Sequence, residues 1–139
     1  MMKNRRNEAG FTLLELLVVV LIIGLLASYV GPKYFSQIGK SEATAAKAQV
    51  EAYAKAVDNF RLDMGRFPTT EEGLAALTAR PADGDKWNGP YLRKDVVPDP
   101  WGHPYLYRAP GTKSEFEILS YGRDGQPGGT GLDADISSE

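Results

Sequence analysis

Two groups of carboxylates carry the chemistry that this 139-residue sequence could do. Glu15 is the one charged residue in the 20-residue run from Phe11 to Val30. A carboxylate near the interior of a bilayer costs several kcal/mol unless it is protonated or paired, so it marks function by default. The bland alternative is a glutamate at the interfacial end of a signal anchor. Cleavage after Gly10 would supply a cation, since the new α-amine of Phe11 would stand four residues from Glu15. The second group is Asp124, Asp133 and Asp135, set among glycines. Glycines let backbone carbonyls turn inward, and aspartates supply the hard oxygens that calcium prefers. Two standard calcium patterns nearly fit, and both fail. An EF-hand wants Asp or Asn where Gln126 and Gly128 stand, with a helix on each side. Gly128-Gly129-Thr130-Gly131-Leu132-Asp133 begins like the calcium nonapeptide, but Asp135 takes its apolar position and no second copy exists to stack on it. The residues alone leave an acidic, glycine-rich surface tail open as the other reading.

Other chemistries are excluded by composition. Cysteine is absent, so no disulfide, zinc-thiolate centre or cysteine nucleophile can form. His103 is the one histidine, in a Gly-His-Pro turn without metal-ligand spacing, and reads as a solvent-facing turn residue. No Ser-His-Asp order, phosphate-cradling loop or dinucleotide fingerprint appears, so nothing argues for an enzyme. Lys and Arg number 16 against 18 Asp and Glu, a net charge of −2 with no basic stripe, which excludes a nucleic-acid binder. A hydrophobic share of 42% excludes a wholly disordered chain.

These groups need elements to position them. Lys3, Arg5 and Arg6 precede the apolar run, which favours a cytoplasmic amino terminus and an outward carboxy terminus. A helix of that length rises about 30 Å, enough to cross a hydrocarbon core. Ala27-Ser28-Tyr29 is a poor secretory cleavage site; the small residue, Gly10, comes before the apolar run instead. Gly31-Pro32 predicts a bend or local melting. Beyond it Ala43, Ala46, Val50, Tyr53, Val57, Phe60 and Met64 recur by threes and fours. That spacing predicts an amphipathic helix reaching Met64, with Gly65 as its stop. The stripe is also a heptad pattern, but alanines and a tyrosine make a weak zipper. The expected partner is the chain's own remainder, which is small enough to borrow a helix face for its core.

In that remainder Thr69-x-x-Glu72 reads as a capping box, opening a short helix with Leu74, Leu77 and Ala75 on its apolar side. Trp87-Asn88-Gly89-Pro90-Tyr91 and Asp99-Pro100-Trp101-Gly102 read as loops pinned by buried rings. Tyr105–Arg108 and Phe116–Leu119 read as two strands joined through Ala109-Pro110-Gly111.

Gly10-Phe11-Thr12-Leu13-Leu14-Glu15-Leu16 behind a basic leader resembles the processing site of type IV pilins and pseudopilins. Arg66-Phe67-Pro68-Thr69-Thr70-Glu71-Glu72-Gly73-Leu74, Asp99-Pro100-Trp101-Gly102 and Ser120-Tyr121-Gly122-Arg123-Asp124-Gly125 resemble three stretches of the major pseudopilins of type II secretion systems. The resemblance departs at Ile136-Ser137-Ser138-Glu139, where members often carry Gly-Asn-Trp. It implies an α+β, pilin-like fold: a long membrane-spanning helix continued into a small head of helix packed on a short antiparallel sheet. The expected segments are a cleaved leader over 1–10, a membrane and filament-core helix over 11–31, an amphipathic stem over 32–64 and a periplasmic head over 65–139.

The resemblance also implies what the chain does. A prepilin peptidase would cut between Gly10 and Phe11 and methylate Phe11, and Glu15 would guide each subunit into the growing filament. The product would be a helical homopolymer rooted in the bacterial inner membrane, the pseudopilus, which helps move folded exoproteins across the outer membrane. Its partners would be an inner-membrane assembly platform, minor pseudopilins and an outer-membrane secretin. A surface-fibre type IV pilin is the alternative, though such pilins usually carry a cysteine pair. The resemblance further implies a calcium ion in the acidic loop, with Asp124 and Asp135 as carboxylate ligands, the Tyr121 carbonyl as a third and Asp133 as a further candidate. A head without disulfides gains from a metal as its staple.

Overall fold

The computed structural model describes residues 10–139, so the leader residues Lys3, Arg5, Arg6 and Glu8 lie outside the described residues. The first element, α1, spans Leu13–Met64 and holds 52 residues. It passes through Gly31 and Pro32 without losing helical assignment. Of the bend or local melting expected there, local melting is not seen. A proline removes one backbone donor, here the bond to the Ser28 carbonyl, and a single missing bond interrupts a helix less than it bends it. Gly65, at φ +72°, ends α1 by donating its N–H to the Arg61 carbonyl at 2.8 Å.

The chain divides into two compact units, one ending at Ile38 and the other Gly39–Glu139. In the first, the large apolar side chains of α1 are exposed on every side, from Leu13 at 84% to Ile38 at 39%. A helix that is apolar all round and buries none of that surface is built for a membrane or for other helices.

The second unit has a core. Ala46, Val50, Tyr53, Ala56, Val57 and Phe60 of α1 are buried. Ala43 and Met64 of the expected stripe are only half-buried. Most of these α1 side chains pack in one cluster with Leu74, Ala76, Leu77, Tyr105, Tyr107 and Ile118. Full burial of a Val, Leu, Ile or Phe side chain contributes about 1.5–3 kcal/mol. The sheet is antiparallel and three-stranded: β1 (Leu106–Arg108), β2 (Glu117–Ser120) and β3 (Ile136–Ser137), in the order β1-β2-β3. Tyr107 pairs with Ile118, and Ser120 with Ile136. Every residue of the central β2 is buried.

The capping box forms as expected: Thr69 donates its N–H to Glu72 Oε2 at 3.0 Å, and Glu72 donates its own to Thr69 Oγ1 at 3.1 Å. It opens a five-residue 3-10 helix, Gly73–Leu77, in place of the expected helix. Gly73 follows at φ +59°, outside α geometry. Three residues per turn place Leu74 directly above Leu77. Ala76, not Ala75, joins them in the core. The two loops are pinned through their rings. Trp87 Nε1 donates to the Ala76 carbonyl at 2.8 Å, and Trp101 Nε1 to Glu42 Oε2 at 3.1 Å.

Candidate functional site

At the start of α1, Gly10 and Phe11 are exposed. Thr12 donates its N–H to Glu15 Oε2 at 3.2 Å, and Glu15 donates its N–H to Thr12 Oγ1 at 3.1 Å. This is a reciprocal capping box. It satisfies helix-end donors, which matters most where water is scarce. The carboxylate also sits at the positive end of the helix dipole, where a negative charge is favoured. Thr12 is a site residue that reading Glu15 alone misses. The signal was in the sequence, since Thr12-x-x-Glu15 has the spacing of Thr69-x-x-Glu72.

The second site is the loop after β2. Its geometry starts from Asp99, whose side chain is wholly enclosed. Asp99 Oδ1 accepts from the Trp101 N–H at 3.1 Å and the His103 N–H at 2.8 Å. Asp99 Oδ2 accepts from Ser120 Oγ at 2.7 Å, and Ser120 Oγ accepts from the Gly122 N–H at 3.2 Å. Burial pushes the Tyr105 phenol up to about 12, with the negative charge of Asp99 adding to the effect. His103 is half-buried rather than fully solvent-facing: its side chain is 42% exposed. Its Nδ1 stands 3.9 Å from Asp99 Oδ1 and, among the described residues, is a buried nitrogen without a hydrogen-bond partner. The correction comes from tertiary packing. The ring lies against Gly125, where a Cβ would come within 2.9 Å of it.

The loop's carboxylates are placed unequally. Asp133 accepts Arg123 Nε on Oδ1 at 2.9 Å and Arg123 Nη2 on Oδ2 at 3.2 Å, so each of its oxygens already has a cationic donor. Asp124 Oδ1 accepts from the Gln126 N–H at 3.1 Å, and Asp135 Oδ2 from the Gly128 N–H at 3.0 Å. Both of these residues are exposed, and each keeps its second oxygen unpartnered among the described residues. The backbone is drawn in tightly around Gly122, at φ +75°, where a Cβ would meet the Ala134 carbonyl oxygen at 2.7 Å and that of Asp133 at 2.9 Å. Among the described residues, no three His, Cys, Asp or Glu side chains gather as a metal cluster. A hard cation here would therefore rely on carbonyls plus two carboxylates. Asp124 and Asp135 each keep one oxygen open to such a donor set, whereas Asp133 would have to share its oxygens with Arg123.

The profile of the family described as type II secretion system (T2SS), protein G matches residues 33–139, well over half of the chain. The chain belongs to this family. The prokaryotic N-terminal methylation motif matches residues 5–30, a range that includes Gly10, Phe11 and Glu15. Type II secretion system core protein G of Pseudomonas aeruginosa is 43% identical over 138 residues, covering 97% of each chain. That of Vibrio cholerae is 40% identical, covering 99% of this chain and 95% of the relative. The crystal structure of the major pseudopilin from the type 2 secretion system of enterohaemorrhagic Escherichia coli aligns with a TM-score of 0.60 at 33% identity. It covers 75% of this chain and 91% of that one. The pilin-like fold expected from the resemblance is thus present, and this protein G family member is a major pseudopilin of a type II secretion system.

Proposed function

We propose that the chain polymerises into a pseudopilus after a prepilin peptidase removes residues 1–10 and methylates Phe11. The observation that carries this reading is the apolar helix from Leu13 onward, exposed on all sides, with a single carboxylate near its start. A lone helix of this kind is at home in a bilayer, but Glu15 is not. Packing among copies keeps the apolar surface covered and brings a terminal amine within reach of each Glu15 carboxylate. Repeated head-to-tail contact between identical subunits then gives a fibre rather than a closed ring. In the membrane the amino terminus faces the cytoplasm and the head faces the periplasm, the orientation that Lys3, Arg5 and Arg6 favour. The assembly platform, minor pseudopilins and secretin are its partners, and its role is structural. The test is secretion in a strain lacking the gene. Exoproteins should collect in the periplasm, and unimpaired export would overturn the reading.

The loop from Tyr121 to Asp135 is read as a calcium site. Asp124 and Asp135 supply carboxylates and Tyr121 a carbonyl, while Asp133 serves the loop through Arg123. When bound, the ion ties the two ends of the loop together and adds its binding energy to folding.

A further inference from the structure

We propose that Asp99 is a positioning residue for calcium capture, holding the Tyr121–Gly122 peptide in place through the Ser120 hydroxyl. The inference rests on the calcium reading of Tyr121, Asp124 and Asp135. Its starting point is a division of labour between the two oxygens of one buried carboxylate. Oδ1 accepts the N–H groups of Trp101 and His103, which suffices to build the 99–103 turn. Oδ2 takes no part in that turn. It accepts from Ser120 Oγ, at the end of β2, and the same hydroxyl accepts the Gly122 N–H.

The relay encloses Tyr121, whose carbonyl belongs to the peptide bond that carries that Gly122 N–H. Fixing the N–H fixes the plane of the peptide, and so the direction of the carbonyl oxygen opposite it. The same turn makes a second contact three residues on, where the His103 ring rests on Gly125. Asp124 lies between the two contacts. The backbone on either side of Asp124 is therefore braced by residues 99–103, through Ser120 at Gly122 and through the His103 ring at Gly125. Asp99 is 4% exposed and Ser120 1%, so water does not compete for the link. Removing a residue that orients a metal ligand typically weakens metal binding about 10–100-fold.

The test uses the mature full chain in detergent, with calcium affinity read from the melting temperature across a series of free calcium concentrations. Trp101 fluorescence gives a second readout. Ser120→Ala cuts the relay but leaves the Oδ1 bonds of the turn, and it should weaken calcium binding about tenfold or more. Ser120→Thr keeps the hydroxyl and should restore the wild-type affinity. Ile118→Val, a core change beside the relay, should lower the melting temperature equally in calcium and in chelator and leave the affinity alone. Should Ser120→Ala fail to fold, Asp99→Asn serves instead. It retains the Oδ1 acceptor, presents a donor to Ser120, and should also weaken binding. Wild-type affinity in the relay variants, with equal loss of stability in calcium and chelator, would overturn the proposal. If the wild-type chain itself ignores calcium, the ligand reading fails first, and the two failures are told apart by that control.

Discussion

Leu132 fills the space that a side chain at Gly39 would occupy: a Cβ built there overlaps Leu132 Cδ1. Gly39 is buried at the first position of the second unit, and Leu132 belongs to the short 3-10 turn Gly131–Asp133 of the acidic loop. The residue pair docks that loop on α1.

Gly39→Ala should therefore be close to neutral. Alanine gains about 1 kcal/mol of helix propensity over glycine, and the crowded atom is the flexible tip of Leu132. Gly39→Phe cannot be absorbed in this way and should lower the melting temperature, as overpacking costs about 1–3 kcal/mol. Thermal melts of the two variants check this, and equal melting temperatures would refute the docking.

Calcium should raise the melting temperature of the mature chain, and Asp124→Ala should abolish the rise. Chelator should destabilise the wild type and have little effect on Asp124→Ala. Asp133→Asn, which loosens the Arg123 pair without removing a proposed ligand, should retain most of the calcium response.

Processing is read by intact mass. Membrane-extracted protein should have lost residues 1–10 and gained one methyl group at Phe11, while Gly10→Glu should stay full-length. Glu15→Ala should be processed and inserted, yet fail to support secretion. Normal export by that variant would remove its role. Thr12→Val removes one arm of the capping box, and losing a cap of this type costs about 0.5–2 kcal/mol at the helix end.

Glu72 gives a pH dependence of known sign. It accepts from Arg66 Nη1 and Nη2, each at 2.9 Å, and Arg66 also meets Asp83 at 2.7 Å. The Arg66 hydrogen bonds hold the Glu72 carboxyl below its usual range despite its partial burial. A group with a depressed folded-state pKa contributes stability above its unfolded value, about 4.3, and loses it as pH falls through the folded value. Glu72→Gln should thus cost about 1 kcal/mol, or roughly 4–8 °C in Tm, at pH 7. The gap from wild type should narrow as pH falls below about 4.3 and on through the lower folded-state value. A gap that persists unchanged at low pH would show that shape, not charge, makes the contribution.

How much could be read beforehand follows from how far apart the interacting residues lie. The long helix, its stop at Gly65, the Thr69–Glu72 box and the hairpin of β1 and β2 are written in short-range patterns. Each depends on residues a few positions apart, whose types alone decide whether the contact forms. The same holds for the leader motif, whereas the choice of Asp124 and Asp135 as candidate ligands follows from the family resemblance and not from local pattern. The third strand escaped because two residues, Ile136 and Ser137, show no alternation; they become a strand only when the edge of β2 is there to pair with them.

The sequence by itself determined the apolar span, the lone Glu15 within it and the acidic, glycine-rich loop. Tertiary structure decided how the loop's carboxylates are partnered. It set Asp133 on Arg123 and so freed Asp124 and Asp135 from that role. It also enclosed Asp99 and joined it to Ser120, 21 positions away. No local propensity links those two residues. The bond exists because packing brings the turn against the end of β2 and excludes water, so each polar group must be satisfied by the other.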